Sequence, residues 1–482
     1  MGREVICLTA TTETVRAQLK SMFEDCGDAL FTDIYINNNR NLPATVAYIE
    51  GMVNTEMVSD VVMKSLNQAD IFSRAKSSAE IIDLVNHGAV YHASQEIKND
   101  VNEIATDILN GYVALMFDDN TDVVVFELKG FQLRGIGEPT DENVIKGGKD
   151  AFIEALRINT GLIRRRIRDP RLKVVQKSIG NITRTDVAIV YLDGVVDKAL
   201  LEQVKTKIDS IDIDDITSTA CIEENISDNK YSIFPQVLYT ERPDKLCANL
   251  AEGKIGLVID GFPYVYIVPA VFNMFFQAPE DYSQNYFLSS LVRLVRYSCV
   301  FLTILLPALY VAIGTFHHEM LPTGLAISII RSKQEVPLTV FMEVMFMLLA
   351  FEVMIESGIR LPNKIGGAVS IVGGLIVGEA AMVSNLISPV VVVVIAIAAI
   401  CGFIIPGQDM SNSFRIVRFV FVIIAEMAGL FGIAFGFAGL LYYFCSIKTF
   451  DVPYMLPYVA NEGKKVTEDT LLRLPIFKRS KQ

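Results

Sequence analysis

Five glutamates stand where a protein can least easily hold charge. Glu343, Glu352, Glu356, Glu379 and Glu426 fall within residues 297–447, a stretch rich in Val, Ile, Leu, Phe, Ala and Gly. It carries fourteen of the chain's 98 Lys, Arg, Asp and Glu residues. A carboxylate in apolar surroundings is costly, so each is a candidate for function by default. Repeated around a symmetric assembly, any one of them would form a ring of negative charge that favours cations in a pore. For Glu343, Glu352 and Glu356 the alternative is the wet side of an amphipathic helix. For Glu379 and Glu426, which lie among glycines, it is a buried hydrogen bond.

Other reactive groupings are sparse. His317-His318-Glu319 suggests a metal site, but neighbouring histidines point apart on a helix and Pro322 follows, so a loop at a membrane edge fits better. No Ser, His and Asp constellation and no Gly-x-Ser-x-Gly elbow is present, and His87 and His92 fall in a polar region, so neither catalysis nor a cofactor is expected. Seven cysteines lie far apart without a Cys-x-x-Cys pair, which argues against a disulfide framework or zinc site. The dense basic run Arg164-Arg165-Arg166, with Arg168 and Arg171 behind it, reads as a solvated helix end or subunit contact, or else as an anion or headgroup contact. A net charge of −12 disfavours nucleic acid, whose phosphates need a basic face.

The elements that carry these residues divide in two. Mean hydropathy is +0.38 despite 20% charged residues, so a charged region and an apolar one are averaged together. In the charged part, Ala47-Tyr48-Ile49-Glu50-Gly51 resembles Val190-Tyr191-Leu192-Asp193-Gly194, 143 residues on. Residues 111–118 (GYVALMFD) likewise resemble 253–260 (GKIGLVID), 142 residues on. Two pairs in register point to a duplicated α/β subdomain, with Val196, Leu200, Val204 and Ile208 on one face of a helix after the second motif. The expected division is subdomain 1 over 1–134, a linker over 135–149, subdomain 2 over 150–261, an interfacial segment over 262–296, a transmembrane helical region over 297–447 and a basic tail over 448–482. The apolar run near the start is too short for a signal peptide, so the α/β region is expected to be cytoplasmic.

A spanning helix needs about 20 apolar residues. Residues 297–314, 366–382, 389–405 and 419–447 qualify, and 338–356 qualifies apart from its glutamates. Arg293 and Arg296 would hold the first span at the headgroups. Residues 262–276, with Pro263 and Pro269, suit an interfacial or re-entrant segment. Gly366, Ser370, Gly374 and Gly378 recur every four residues, and Gly429, Gly432, Gly436 and Gly439 every three or four, giving bare faces for close helix packing within or between chains. Lys448, Lys464, Lys465, Arg473, Lys478, Arg479 and Lys481 place the tail in the cytoplasm. With both ends inside, the crossings must be even, so four to six spans are expected and five do not suffice.

Several stretches together resemble the A subunits of GerA-type spore germination receptors. They are residues 159–167 (NTGLIRRRI), 228–236 (DNKYSIFPQ), 240–244 (TERPD), 279–282 (PEDY), 305–311 (LLPALYV), the 317–323 loop, 360–362 (RLP), 370–381 (SIVGGLIVGEAA) and 452–454 (VPY). The resemblance runs from about Gly137 to Pro475 and is looser before that. It implies a subunit of the inner spore membrane that works with a transporter-like B subunit and a lipoprotein C subunit in response to nutrients. It also implies a ring, of five copies, forming a nutrient-gated ion channel, with the helix at 370–381 near the conduction path. A non-conducting scaffold and a sporulation-stage paralogue related to the stage V AF protein are alternatives. A secondary transporter would carry its repeats in the membrane half, whereas here they lie in the soluble half.

The chain departs from these relatives at Ile233, where proline is usual, at Gln284-Asn285-Tyr286, where a Trp is common, and at Glu379, where an amide is usual. A carboxylate at 379 would strengthen cation preference. Glu379→Gln is therefore expected to lower cation selectivity in reconstituted vesicles, and unchanged flux and selectivity would remove that role.

Overall fold

The computed structural model describes residues 14–473 and Pro475, apart from 91–93, 131–136, 141, 143, 145, 361–377 and 460–468. The chain forms two units. One comprises Met1–Val144, Gly148–Ser227 and Val237–Pro269; the other comprises Ile145–Gly147, Asp228–Gln236 and Ala270–Gln482.

Short runs of β-branched and aromatic residues build the sheets of the first unit. The first sheet holds β1 (Ala29–Tyr35), β2 (Pro43–Ile49), β3 (Gln95–Lys98), β4 (Val113–Met116) and β5 (Val123–Phe126), in the order β1-β2-β4-β5-β3. The second holds β6 (Leu172–Ile179), β7 (Thr185–Leu192), β8 (Leu238–Thr240), β9 (Ile255–Ile259) and β10 (Val265–Val268), in the order β6-β7-β9-β10-β8. The two orders match place for place, and every pairing between these strands is antiparallel. The repeated motifs fall on β2 and β7 and on β4 and β9, as a duplication requires. Both faces of the first sheet are covered. Ala47 and Ile49 pack with α1 (Val15–Met22) and α2 (Val101–Leu109), while Val46 and Tyr48 point the other way, into a core with Val58, Val62 and Ile81.

On the second sheet lie α3 (Leu156–Arg166) and α5 (Pro243–Ala251), and between them in sequence α4 (Lys198–Asp209) follows β7. Asp197 caps α4 by accepting the Ala199 N–H at 3.0 Å, and Val196, Leu200, Val204 and Ile208 are all buried. Residues 265–268, expected in an interfacial segment, instead form β10 between β9 and β8. Pro263 and Pro269 flank this strand, so neither removes a ladder donor from its interior. The second subdomain therefore extends past residue 261.

The subdomains are joined through α3. Gly51, at φ +81, ends the first motif, and a Cβ there would lie 2.6 Å from the Arg157 carbonyl oxygen. Across the joint, a Cβ on Gly161 would lie 2.9 Å from the Gly51 oxygen. Two glycines thus let the backbones touch, which brings Arg164 onto Asp28. The Gly27 N–H also donates to the Val174 oxygen at 2.8 Å, tying the start of β1 to β6.

The second unit is helical. It contains α6 (Tyr286–Thr315), α7 (Thr323–Lys333), α8 (Val340–Arg360), α9 (Pro389–Phe403) and α10 (Gln408–Ser446). Among the described residues α6 and α10 are long and apolar enough to cross a membrane. The single span expected at 419–447 needs correction, because α10 reverses at Gly429 (φ +59, ψ −142), a backbone state open essentially to glycine alone. The two arms lie side by side. A Cβ on Gly432 would sit 2.7 Å from the Ile424 oxygen, and one on Gly436 3.4 Å from the Phe421 ring. Phe414 and Phe444, fifteen residues either side of the turn, both meet Phe234, at 5.7 and 4.5 Å between ring centroids.

The glycines expected to form packing faces thus take different places. Gly429 is the turn, Gly432 and Gly436 face the first arm, and Gly439 meets open space. Gly378 faces Val392 in α9, while Gly366, Ser370 and Gly374 lie outside the described residues. A Cβ on Gly429 would also lie 2.8 Å from His317 Cε1. Gly429→Val is expected to destabilise the full chain in detergent by about 3 kcal/mol or more in a thermal unfolding assay. Gly439→Val, in open space, should change stability by less than about 0.5 kcal/mol.

Candidate functional site

The carboxylates expected to line an ion path do not converge. Glu343 and Glu352 sit on α8 roughly 14 Å apart at 1.5 Å per residue. Glu343 is fully buried. Its Oε2 accepts the Ser388 N–H at 2.8 Å, and its Oε1 is 3.0 Å from Lys333 Nζ. Ser388 is the residue preceding α9, so the carboxylate meets the positive end of that helix as well as an ammonium. Glu343 is thus not on the wet side of an amphipathic helix.

Glu352 is held by two guanidiniums from the first arm of α10. Arg418 Nη2 lies 2.9 Å from its Oε1, and Arg415 reaches both carboxylate oxygens. Arg418 is buried, so Glu352 balances a charge that would otherwise be left in apolar surroundings. Glu356 and Glu379 are exposed. Glu426 is half-buried near the Gly429 turn, with the Thr315 hydroxyl 3.5 Å from its Oε2. Among the described residues no cluster of three or more His, Cys, Asp or Glu is arranged to hold a metal.

A second network, at the start of α6, was not anticipated from sequence. Arg293 and Arg296 do not reach headgroups; they are 1% and 5% exposed and share Asp281 Oδ2, at 2.9 Å from Arg293 Nε and 2.7 Å from Arg296 Nη1. Arg293 Nη1 also donates to Asp469 Oδ1 at 2.7 Å, and the Tyr282 hydroxyl to Asp469 Oδ2 at 2.8 Å. Arg473, counted with the basic tail, is buried and donates to the Gln284 oxygen at 2.7 Å. The PEDY motif thus supplies the acid that lets two arginines enter the protein, and the tail folds onto the same place. The signal available was Arg293 and Arg296 one turn apart, twelve and fifteen residues after an acid.

The basic run at 164–166 also divides. Arg164 is fully buried, donating from Nε and Nη2 to Asp28 at 2.7 and 2.9 Å. Burial works against its charge, but the charge and hydrogen bonds of Asp28 outweigh that and raise its pKa above the ordinary arginine value. Arg166 pairs with Asp150 at 2.5 Å, and Arg171 with Asp169 at 2.7 Å. Burial pushes the Cys247 thiol, near Arg166, up to about 12.

The 228–236 motif belongs to the helical unit. Phe234 packs on Phe414, Tyr443 and Phe444; the Ile233 oxygen accepts from Ser413 Oγ at 2.6 Å, and the Pro235 oxygen from Tyr454 Oη at 2.9 Å. Asp228 accepts the Phe450 N–H at 2.5 Å. The motif's side chains and carbonyls thus bind both arms of α10 and the 452–454 turn. In the first unit, Arg242 of TERPD is buried against Asp244 at 2.6 Å and donates to the Gly148 oxygen at 3.0 Å, holding the linker.

Residues 17–482 match the family described as Bacillus/Clostridium GerA spore germination protein. The chain is 33% identical over 460 residues to spore germination protein KA of Bacillus subtilis (strain 168), covering 95% of this chain and 84% of that one. It is 32% identical over 457 residues to spore germination protein B1 of the same organism, covering 95% and 93%. The uncharacterized membrane protein YfkQ, also of Bacillus subtilis, is 34% identical over 456 residues, covering 93% and 86%. A solved structure, the N-terminal domain of the A subunit of the Bacillus megaterium spore germinant receptor GerK3, is 26% identical, with a TM-score of 0.44, covering 55% of this chain and 99% of that one.

Among the described residues, Asp281→Asn would leave Asp469 as the one carboxylate on Arg293 and none on Arg296. A loss of about 3 kcal/mol or more is expected in thermal unfolding of the full chain. Glu379→Gln, on an exposed side chain, should leave stability within about 0.5 kcal/mol.

Proposed function

Because this chain belongs to the Bacillus/Clostridium GerA spore germination protein family, we propose that it is the A subunit of a nutrient-responsive germination receptor. In this reading it is a non-catalytic subunit of the inner spore membrane, partnered by a transporter-like B subunit and a lipoprotein C subunit. Copies of the chain assemble into a ring, of five, that passes cations when the receptor is engaged. Nutrient binding shifts the ring between closed and open populations, and it does so only as far as the ligand's affinity differs between them. The observation that carries the proposal is the family match from residue 17 to residue 482, which includes both the α/β region and the helices.

The reversal at Gly429 supports a multi-pass arrangement with both ends inside. It splits one of the five expected spans into two arms, and six crossings return the tail to the side where α6 begins. Arg473 and Asp469 lie beside Tyr282 and Arg293, which is consistent with that return. The α/β region then remains cytoplasmic with the tail. A non-conducting scaffold is the second reading, favoured by the cation partners of Glu343 and Glu352, which leave neither carboxylate as a free negative charge. Within the channel reading, Glu426 and Glu379 are the better candidates to face ions.

Purification in mild detergent with mass measurement, followed by cation flux from vesicles, separates the two. A higher-order homo-oligomer that conducts, with flux or selectivity reduced by Glu426→Gln, is the expected outcome. A monomer that passes no ions would sink the channel and favour the scaffold.

A further inference from the structure

Two thiols meet inside the helical unit. Cys299 on α6 and Cys401 on α9 are both buried, both carry free thiols, and lie within hydrogen-bonding reach of one another. Sequence spacing gave no sign of this, because the two helices are far apart in the chain.

The neighbouring residues show why the helices come so close. One turn after Cys299, the Thr303 hydroxyl donates to the Cys299 oxygen at 2.8 Å, which folds that side chain back onto α6. Beside Cys401, Gly402 has no side chain, and a Cβ there would lie 3.6 Å from Thr303 Cγ2. The Ser411 hydroxyl donates to the Gly402 oxygen at 2.8 Å, so the end of α9 is also held by the first arm of α10. Small residues thus set the separation of α6 and α9. A disulfide needs Cβ atoms about 3.5–4.5 Å apart, a spacing open to thiols that already meet across two close helices.

Burial decides which oxidant reaches the pair. Thiols shut away from water are poor targets for aqueous peroxide, whereas an organic hydroperoxide dissolves among lipid chains and apolar side chains. We propose that Cys299 and Cys401 form a modification site, a dithiol that a lipid-soluble hydroperoxide closes to a disulfide, fastening α6 to α9. One thiol takes the terminal oxygen of the hydroperoxide and becomes a sulfenic acid, and its proton leaves with the alcohol released. The second sulfur then attacks the sulfenic sulfur, and its own proton leaves with the hydroxyl group as water. Two electrons pass from the sulfurs to the hydroperoxide. Access from lipid rests on the membrane placement proposed above; the pairing of the thiols does not.

The test treats the full chain in lipid nanodiscs with cumene hydroperoxide or with hydrogen peroxide, blocks remaining thiols with N-ethylmaleimide after denaturation, and maps the peptides by mass spectrometry. A peptide linking Cys299 to Cys401 is expected, reversed by dithiothreitol, absent from Cys299→Ser and formed about fivefold faster with cumene hydroperoxide. Oxidation should raise the thermal unfolding midpoint of the parent and not of Cys401→Ser, since a cross-link between distant segments restricts the unfolded chain. Oxidation of the exposed Cys445 in the same sample reports an effective dose. The proposal is overturned if Cys445 is oxidised while Cys299 and Cys401 are recovered as maleimide adducts, or if Cys299 links to other cysteines or to a second copy. Equal rates with the two peroxides also overturn it, by removing the lipid-soluble trigger while the linked peptide still forms.

Discussion

A charged side chain taken out of water must find its counter-charge inside the protein, or the fold gives way. The ion taken from water costs several kcal/mol, and removing one partner of a buried pair costs about 3–5 kcal/mol. Among the described residues, four such pairings tie separate segments of this chain together. Arg164 meets Asp28 at the joint of the two sheets; Arg293 and Arg296 meet Asp281 at the start of α6; Arg418 meets Glu352 between α10 and α8; Lys333 meets Glu343 beneath α9. Each links segments distant in sequence or seals a helix end, so each fixes where an element must lie.

Seen this way, the motifs that mark the family are joints. NTGLIRRRI supplies Gly161 for close backbone approach and Arg164 for the buried pair. DNKYSIFPQ supplies Phe234 and two carbonyls that hold both arms of α10. PEDY supplies the acid for two arginines.

The sequence made the duplication legible, since a motif repeated in register must fall on equivalent strands, and β2 with β7 and β4 with β9 do so. The apolar character of α6 and α10 was equally plain. Hidden features depended on contacts that local pattern does not carry. Val265–Val268 was obscured by flanking prolines and by a strand buried on both faces, whose unbroken apolar run mimics a membrane segment. Gly429 stands among other helix glycines of the same spacing, and only its backbone angles separate a turn from a packing face. Glu343 and Glu352 showed as carboxylates in an apolar stretch, but their partners Lys333 and Arg418 lie 10 and 66 residues away, and pairing at such range is set by the tertiary fold.

The central claim, that these motifs act as joints closed by buried charge pairs, is tested most directly by a double-mutant cycle on Asp28 and Arg164. Unfolding free energies of the parent, Asp28→Ala, Arg164→Ala and the double variant give the coupling between the two side chains. The account expects each single change to be strongly destabilising and the double variant to lose much less than their sum, with a coupling of about 2–3 kcal/mol. Effects that add within about 0.5 kcal/mol would show that the pair does not hold the subdomains together, and would contradict it.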